Sequence, residues 1–162
     1  MFKHILMPTD GSEHSERAVK RGIELAKLCG AEVTGIHVVQ DFRLMSAADE
    51  WISDAVMDER VQEESHQRAA RFLAFVQESA DAAGVRCSTV VATNAHPYDA
   101  IVDTANRRGC DLIIMTARNR RGLASLVMGS EASRVLHRAS IPVLVFRAIM
   151  SADHPDKPQE NR

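Results

Sequence analysis

At 162 residues, with 45% hydrophobic and 26% charged side chains, the chain is long enough for one sizeable core and too short for two ordinary domains. Its formal charge of -2 and 4% aromatic content argue against a sequence-blind nucleic-acid binder, which needs a basic surface and exposed rings, but do not exclude a mononucleotide. Cys29, Cys87 and Cys110 form no CxxC pair, the histidines show no metal-ligand spacing, and MFKHILMPTDGS lacks the apolar length of a signal or a membrane span. No metal, nucleic-acid or membrane partner is therefore expected, and the cytoplasm is the expected compartment.

Short apolar runs alternate with stretches of helical period, the pattern of a parallel α/β sheet. The first strand is expected at residues 4–8, HILMP. In the helix that follows, Val19, Gly22, Ile23 and Ala26 share a face; it starts from a Ser- and Glu-rich turn and stops at Gly30. The second strand, EVTGIHVV, is expected at residues 32–39, with His37 inside it as a structural imidazole. The longest connection runs from Asp41 to Gly84. Its second half sets Ala69, Phe72, Leu73, Val76, Ala80 and Ala83 at helical spacing; its first half carries Trp51 among acidic residues, as plain packing, a lid, an extra helical turn or a partner surface.

The third strand is expected at residues 87–93, CSTVVAT. A third helix begins at Pro97, because proline is favoured at the first helical position, and ends near Arg108-Gly109 with Ile101, Thr104 and Ala105 inward. The fourth strand, DLIIMT, is expected at residues 111–116. The last helix starts after Gly129, turns Ala132, Val135, Leu136 and Ala139 inward and stops before Pro142; the fifth strand follows at residues 141–147. One domain over residues 1–147 is expected, with a polar, disordered tail at residues 148–162.

In a doubly wound parallel sheet, ligands bind outside the carboxyl ends of the strands, where strand order reverses. Two loops carry suitable chemistry. In PTDGSEHS, Asp10 can accept hydrogen bonds from a ribose and Gly11 allows a tight turn; the competing role of Asp10 or Ser12 is to cap the helix, a contact of about 1 kcal/mol. In TARNRRGLASLVMGS, Gly129-Ser130 opens a helix, whose free N–H groups and partial positive charge suit a phosphate. Ser130 can cap that helix or donate to a phosphate. Asp10, Ser12 and His14 are close in sequence, and His96 can line the crevice, cap the third helix or simply face solvent; neither observation points to a catalytic residue.

PTDGSEHSERAVKRGIELA and CDLIIMTARNRRGLASLVMGSEASRVLHRASIPVLVFR, in this order, resemble the universal stress protein (UspA) family over residues 1–147. The resemblance implies an open five-stranded parallel sheet of strand order 3-2-1-4-5 with helices on both faces, an adenine nucleotide alpha hydrolase-like fold. It implies a cytoplasmic stress-response module for binding or signalling. It also implies a homodimer built by antiparallel pairing of the last strand, through Pro142, Val143, Leu144, Val145 and Phe146.

ATP-binding members of the family carry G-x2-G-x9-G-[ST] after strand four, a pattern that falls here on Thr116, Asn119, Gly129 and Ser130, so two of its three glycines are replaced. A residue of strand two contacts adenine in those members, and the matching position is Val38. Asn119 tolerates a left-handed backbone that costs a generic side chain about 1–2 kcal/mol. Thr116 would be an outlier there, and its Cβ fills the space through which phosphate approaches the backbone. Arg118, Arg120 and Arg121 offer compensation of roughly 1.5–3 kcal/mol each where buried, and little on a solvated loop. Two readings stay open: an altered loop with weak or no ATP binding, and an ATP-binding protein, with Mg, acting as a switch or slow ATPase.

Overall fold

The computed structural model describes residues 1–40, 59–117 and 129–147. The elements follow in the order β1 (His4–Pro8), α1 (Glu13–Cys29), β2 (Glu32–Gln40), α2 (Glu59–Ala83), β3 (Cys87–Asn94), α3 (Pro97–Arg107), β4 (Leu112–Ala117), α4 (Ser130–Arg138) and β5 (Val143–Arg147). The strands form one sheet of order β3-β2-β1-β4-β5, and every neighbouring pair is parallel. The strands expected from the apolar runs are all present, and the order is the one implied by the resemblance. Trp51 and the tail from residue 148 lie outside the described residues.

A central parallel strand is covered on both faces and therefore reads as a continuous apolar run. That is the case for β1, where Ile5, Leu6 and Met7 are fully buried. Alternate residues feed two core layers. Ile5, Met7, Val33 and Ile114 meet Val19, Ile23 and Ala26 of α1 and Val76 and Ala80 of α2 on one face. Leu6, Ile36, Ile113 and Met115 meet Ile101, Val102 and Ala105 of α3 and Ala132 and Val135 of α4 on the other. Leu136 departs from expectation: it is 38% exposed, and only Ala132 and Val135 of the short α4 are buried.

Local signals place the helix ends. Ser12 is the N-cap of α1 and its hydroxyl accepts the Ser15 N–H at 3.3 Å, while Gly30 closes the helix in a left-handed conformation at φ +66°. Pro97 opens α3 as expected. The fourth and fifth strands begin later than the apolar runs suggested, at Leu112 and Val143. Asp111, just outside β4, instead ties down the chain's start: its carboxylate accepts the backbone N–H groups of Lys3, at 2.8 and 3.1 Å, and of His4, at 3.0 Å. Burial alone would raise its pKa, but the N–H donors of His4, Lys3 and Asp111 itself outweigh it and the pKa is lowered.

At the amino ends of the strands a ring of hydrogen bonds joins residues distant in sequence. The Arg108 guanidinium donates to Ser88 Oγ at 3.1 Å, the Ser88 and Thr34 hydroxyls are 3.1 Å apart, Thr34 Oγ1 is 2.8 Å from His4 Nε2, and His4 Nδ1 is 3.1 Å from the Arg108 carbonyl oxygen. A carbonyl only accepts, so His4 Nδ1 donates to it. Thr34 has no solvent exposure. Thr34→Val keeps the shape but takes the hydroxyl away from half-buried His4 Nε2, while exposed Ser88 keeps Arg108 and meets water, so the cost is that of about one net hydrogen bond, roughly 0.5–1.5 kcal/mol. A loss of that size in urea denaturation is the expected result.

Cys110 is buried beside this ring, and burial pushes its thiol up to about 11; nearby Arg108 pulls it down, while Asp111 and Glu32 raise it. At pH 8 only about one such thiol in a thousand is ionised, and the thiolate is the nucleophile. Cys110 should stay unlabelled by iodoacetamide in the native protein and react on unfolding, as peptide mass spectrometry would read.

Candidate functional site at the β1–β4 switch point

Strand order reverses between β1 and β4. From β1 the chain passes to α1 on one face, and the next helix after β4 is α4 on the opposite face. Their carboxyl ends, at Pro8 and Ala117, therefore flank the crevice in which such sheets bind ligands. Of the residues singled out in the sequence, Asp10, Val38, Thr116, Gly129 and Ser130 belong to the elements bordering this end of the sheet. Arg118, Asn119, Arg120 and Arg121 lie outside the described residues.

The turn from β1 into α1 is organised by its own side chains. Asp10 is exposed, and its Oδ1 accepts the Ser12 N–H at 3.0 Å and the Ser12 hydroxyl at 2.5 Å. Beneath it runs a directional chain. The Gly11 N–H donates to Thr9 Oγ1 at 3.2 Å, the buried hydroxyls of Thr9 and Ser15 are 3.1 Å apart, and Ser15 Oγ donates to the Ser12 carbonyl at 2.8 Å. Since Ser15 spends its hydrogen on Ser12, Thr9 donates to Ser15. The competing role weighed for Asp10 and Ser12 is thus divided: Ser12 caps the helix, and Asp10 braces Ser12 while staying open to solvent.

Val38 lies two residues past the Pro8–Ile36 pair, level with this turn, and its half-buried side chain packs toward α3 and α4. Thr116 is part of β4, paired with Phe146. No non-glycine residue among those described has a positive φ. The strain argued for Thr116 therefore does not arise, because the strand continues through this position and an extended backbone suits a β-branched residue. Its Cβ remains where a glycine would leave space.

Gly129, not Ser130, is the N-cap of α4; Ser130 is the first helical residue. The capping role considered for Ser130 is therefore not available, since the cap residue precedes the helix and here has no side chain. The first intrahelical bond runs from the Ser133 N–H to the Gly129 carbonyl at 3.0 Å. The N–H groups of Ser130, Glu131 and Ala132 consequently find no acceptor within the helix. Glu131 faces the neighbouring helix, accepting the Tyr98 N–H of α3 at 3.1 Å, and its other oxygen is 3.4 Å from Arg134. His96 occupies the N-cap position of α3 without capping it, and its ring lies over Tyr98 at 5.5 Å.

Two features escaped the sequence reading. His14, in the first turn of α1, has a buried Nδ1 with no hydrogen-bond partner among the described residues. The Ser12 hydroxyl is engaged with Asp10, so Asp10, Ser12 and His14 form no relay through that nitrogen. The other is the directional Thr9–Ser15–Ser12 chain, whose only sequence signal is a hydroxyl just before and just after the DGS turn.

An acidic turn after β1 and a helix start without a side-chain cap after β4 thus border the switch point of a doubly wound parallel α/β protein. The family model described as the universal stress protein family matches residues 1–147, and the chain belongs to that family. It is 34% identical over 149 residues to universal stress protein MJ0531 of Methanocaldococcus jannaschii, covering 91% of this chain and 83% of that one. Among solved structures it resembles MJ0577 of the same organism, with a TM-score of 0.76 and 25% identity over 93% of this chain and 99% of that one. It also shares its fold with a universal stress protein in complex with cAMP (TM-score 0.61, 22% identity, 89% of this chain and 95% of that one). A further fold relative is a universal stress protein from Archaeoglobus fulgidus in complex with dAMP (TM-score 0.63, 19% identity, 90% and 97%). Among the described residues no helix is long and apolar enough to cross a membrane.

Proposed function

We propose that this universal stress protein is a dimeric, cytoplasmic binding module whose switch-point crevice takes an adenine nucleotide with weak affinity. The observation that carries the reading is the start of α4, where Gly129 leaves the first-turn N–H groups without a side-chain cap beside the end of β4. Three such donors and the helix dipole favour a phosphate. Asp10, held by its bond to Ser12 and open to solvent, suits a ribose hydroxyl, and Val38 at the level of the same turn suits the edge of the base. That universal stress proteins of the same fold are known in complex with cAMP and dAMP supports an adenine nucleotide as the ligand. Weak affinity follows from Thr116 and Asn119, which replace two loop glycines, against the partial compensation of Arg118, Arg120 and Arg121. Release of nucleotide from freshly purified, denatured protein, identified by mass spectrometry, tests the reading; adenine nucleotide in the extract supports it, and an extract holding only nucleotides of another base contradicts it.

The dimer we propose pairs β5 of two copies. This strand is an edge of the sheet, and Leu144 on it is 40% exposed, an apolar edge of the kind that invites pairing. Ile113 N–H donates to the Pro142 carbonyl at 3.0 Å, and in a parallel ladder Leu144 N–H then points back to the Ile113 carbonyl. The outward N–H groups are those of Val143 and Val145. Val145→Pro should therefore give a monomer with the native circular dichroism spectrum, since proline is tolerated at an outward edge position. A variant that still sediments as a dimer would exclude this edge.

A further inference from the structure

Behind the Asp10 turn, the second strand and second helix meet. Gly11 has φ +71°, and a Cβ placed on it would lie 2.0 Å from Phe72 Cε1, so the edge of the Phe72 ring is seated against the bare backbone of the turn. The same ring meets His37 edge-on, with centroids 5.2 Å apart and planes at 67°. His37 Nδ1 is 2.8 Å from the Thr9 carbonyl oxygen. Because a carbonyl only accepts, Nδ1 is the protonated nitrogen, and the bond fixes both tautomer and ring orientation. The Thr9 N–H donates to the Ile36 carbonyl at 2.9 Å, so both backbone polar groups of Thr9 are held by β2.

We propose that His37 and Phe72 are positioning residues of the crevice. They set the conformation of the Asp10 turn, and hence nucleotide affinity, without touching the nucleotide. The inference rests on the nucleotide-binding reading for its consequence, though the tie itself is a property of the ligand-free chain. His37 holds Thr9 from one side, Phe72 closes the space beneath Gly11, and Asp10 stands between these two fixed points. Loss of the imidazole frees the Thr9 carbonyl and withdraws one wall from Phe72, and the turn becomes a set of conformations of which only a fraction presents Asp10 correctly. Affinity falls by that fraction.

The test compares wild type, His37→Leu and His37→Asn, the last because an asparagine amide can restore a donor near the Nδ1 position. Amide hydrogen exchange at Gly11 and Ser12 is followed in the ligand-free protein, where both N–H groups have side-chain acceptors. Mg-ATP affinity is measured by calorimetry on the same samples. His37→Leu should speed exchange at these amides and weaken ATP, each by about tenfold, the equivalent of one net hydrogen bond, while exchange in α3 and β4 stays as in wild type. His37→Asn should return both quantities to within about threefold of wild type. Unchanged exchange in His37→Leu, equally fast exchange across the whole sheet, or no recovery in His37→Asn would overturn the proposal. If wild type binds no ATP, the functional reading falls by itself and the exchange comparison still decides the tie.

Discussion

Gly11→Ala should be among the most damaging single-methyl additions to this protein, lowering stability by roughly 2–5 kcal/mol. Two costs add at this position. Its backbone is left-handed at φ +71°, a conformation that costs a side chain about 1–2 kcal/mol. The new methyl would also lie 2.0, 2.2 and 2.4 Å from Cε1, Cδ1 and Cζ of Phe72, which cannot be accommodated without moving a ring packed between the turn and His37. Overpacking of this kind costs about 1–3 kcal/mol. Gly30 supplies the control: its φ is +66° but nothing lies within 4 Å of its missing Cβ, so Gly30→Ala should show the backbone cost alone. Denaturant titration of both variants separates the two costs. Gly11→Ala combined with Phe72→Ala should lose less than the sum of the two single changes, because the second change removes the atoms that clash. A Gly11→Ala variant no less stable than Gly30→Ala would show that Phe72 does not occupy this space in solution.

Thr116→Gly together with Asn119→Gly should tighten Mg-ATP binding by roughly tenfold to a hundredfold. The structure changes the reason for this expectation. Thr116 sits in β4 opposite Phe146 without backbone strain, so the gain cannot come from relieving an unfavourable φ. It comes from removing a Cβ beside the crevice, which lets phosphate oxygens reach backbone N–H groups, and from giving the loop the freedom at position 119 that glycine provides. One or two recovered hydrogen bonds to a charged group, at about 1.5 kcal/mol each, give the stated range. The change has a cost, since glycine in a strand weakens it by roughly 0.5–1 kcal/mol, and a small drop in melting temperature should accompany the gain. Unchanged affinity with that drop would show that these two side chains do not limit binding.

The fold was legible because its signals are local or periodic. The apolar runs marked all five strands, and Ser12, Gly30 and Pro97 marked helix ends through the chemistry of single residues. Strand order is not local, and it came from the resemblance. Leu136 was misjudged because helical periodicity assigns a face without saying how far the neighbouring elements extend over it. The loop pattern placed Thr116 by spacing, whereas its backbone conformation depends on how far the ladder to β5 continues. The tie from Thr9 through His37 to Phe72 joins three stretches of chain, and the ring of His4, Thr34, Ser88 and Arg108 joins four. Their composition is ordinary; only the register of the sheet brings them together.

Calorimetric titration of the nucleotide-free wild-type protein with Mg-ATP decides whether the switch-point crevice holds a nucleotide. Saturable binding of one ATP per chain, with a Kd on the order of 10–100 μM, is the expected result, because Thr116 and Asn119 stand in place of two glycines while the start of α4 without a side-chain cap remains. No binding heat up to roughly 1 mM ATP, in protein whose fold is intact, would contradict it.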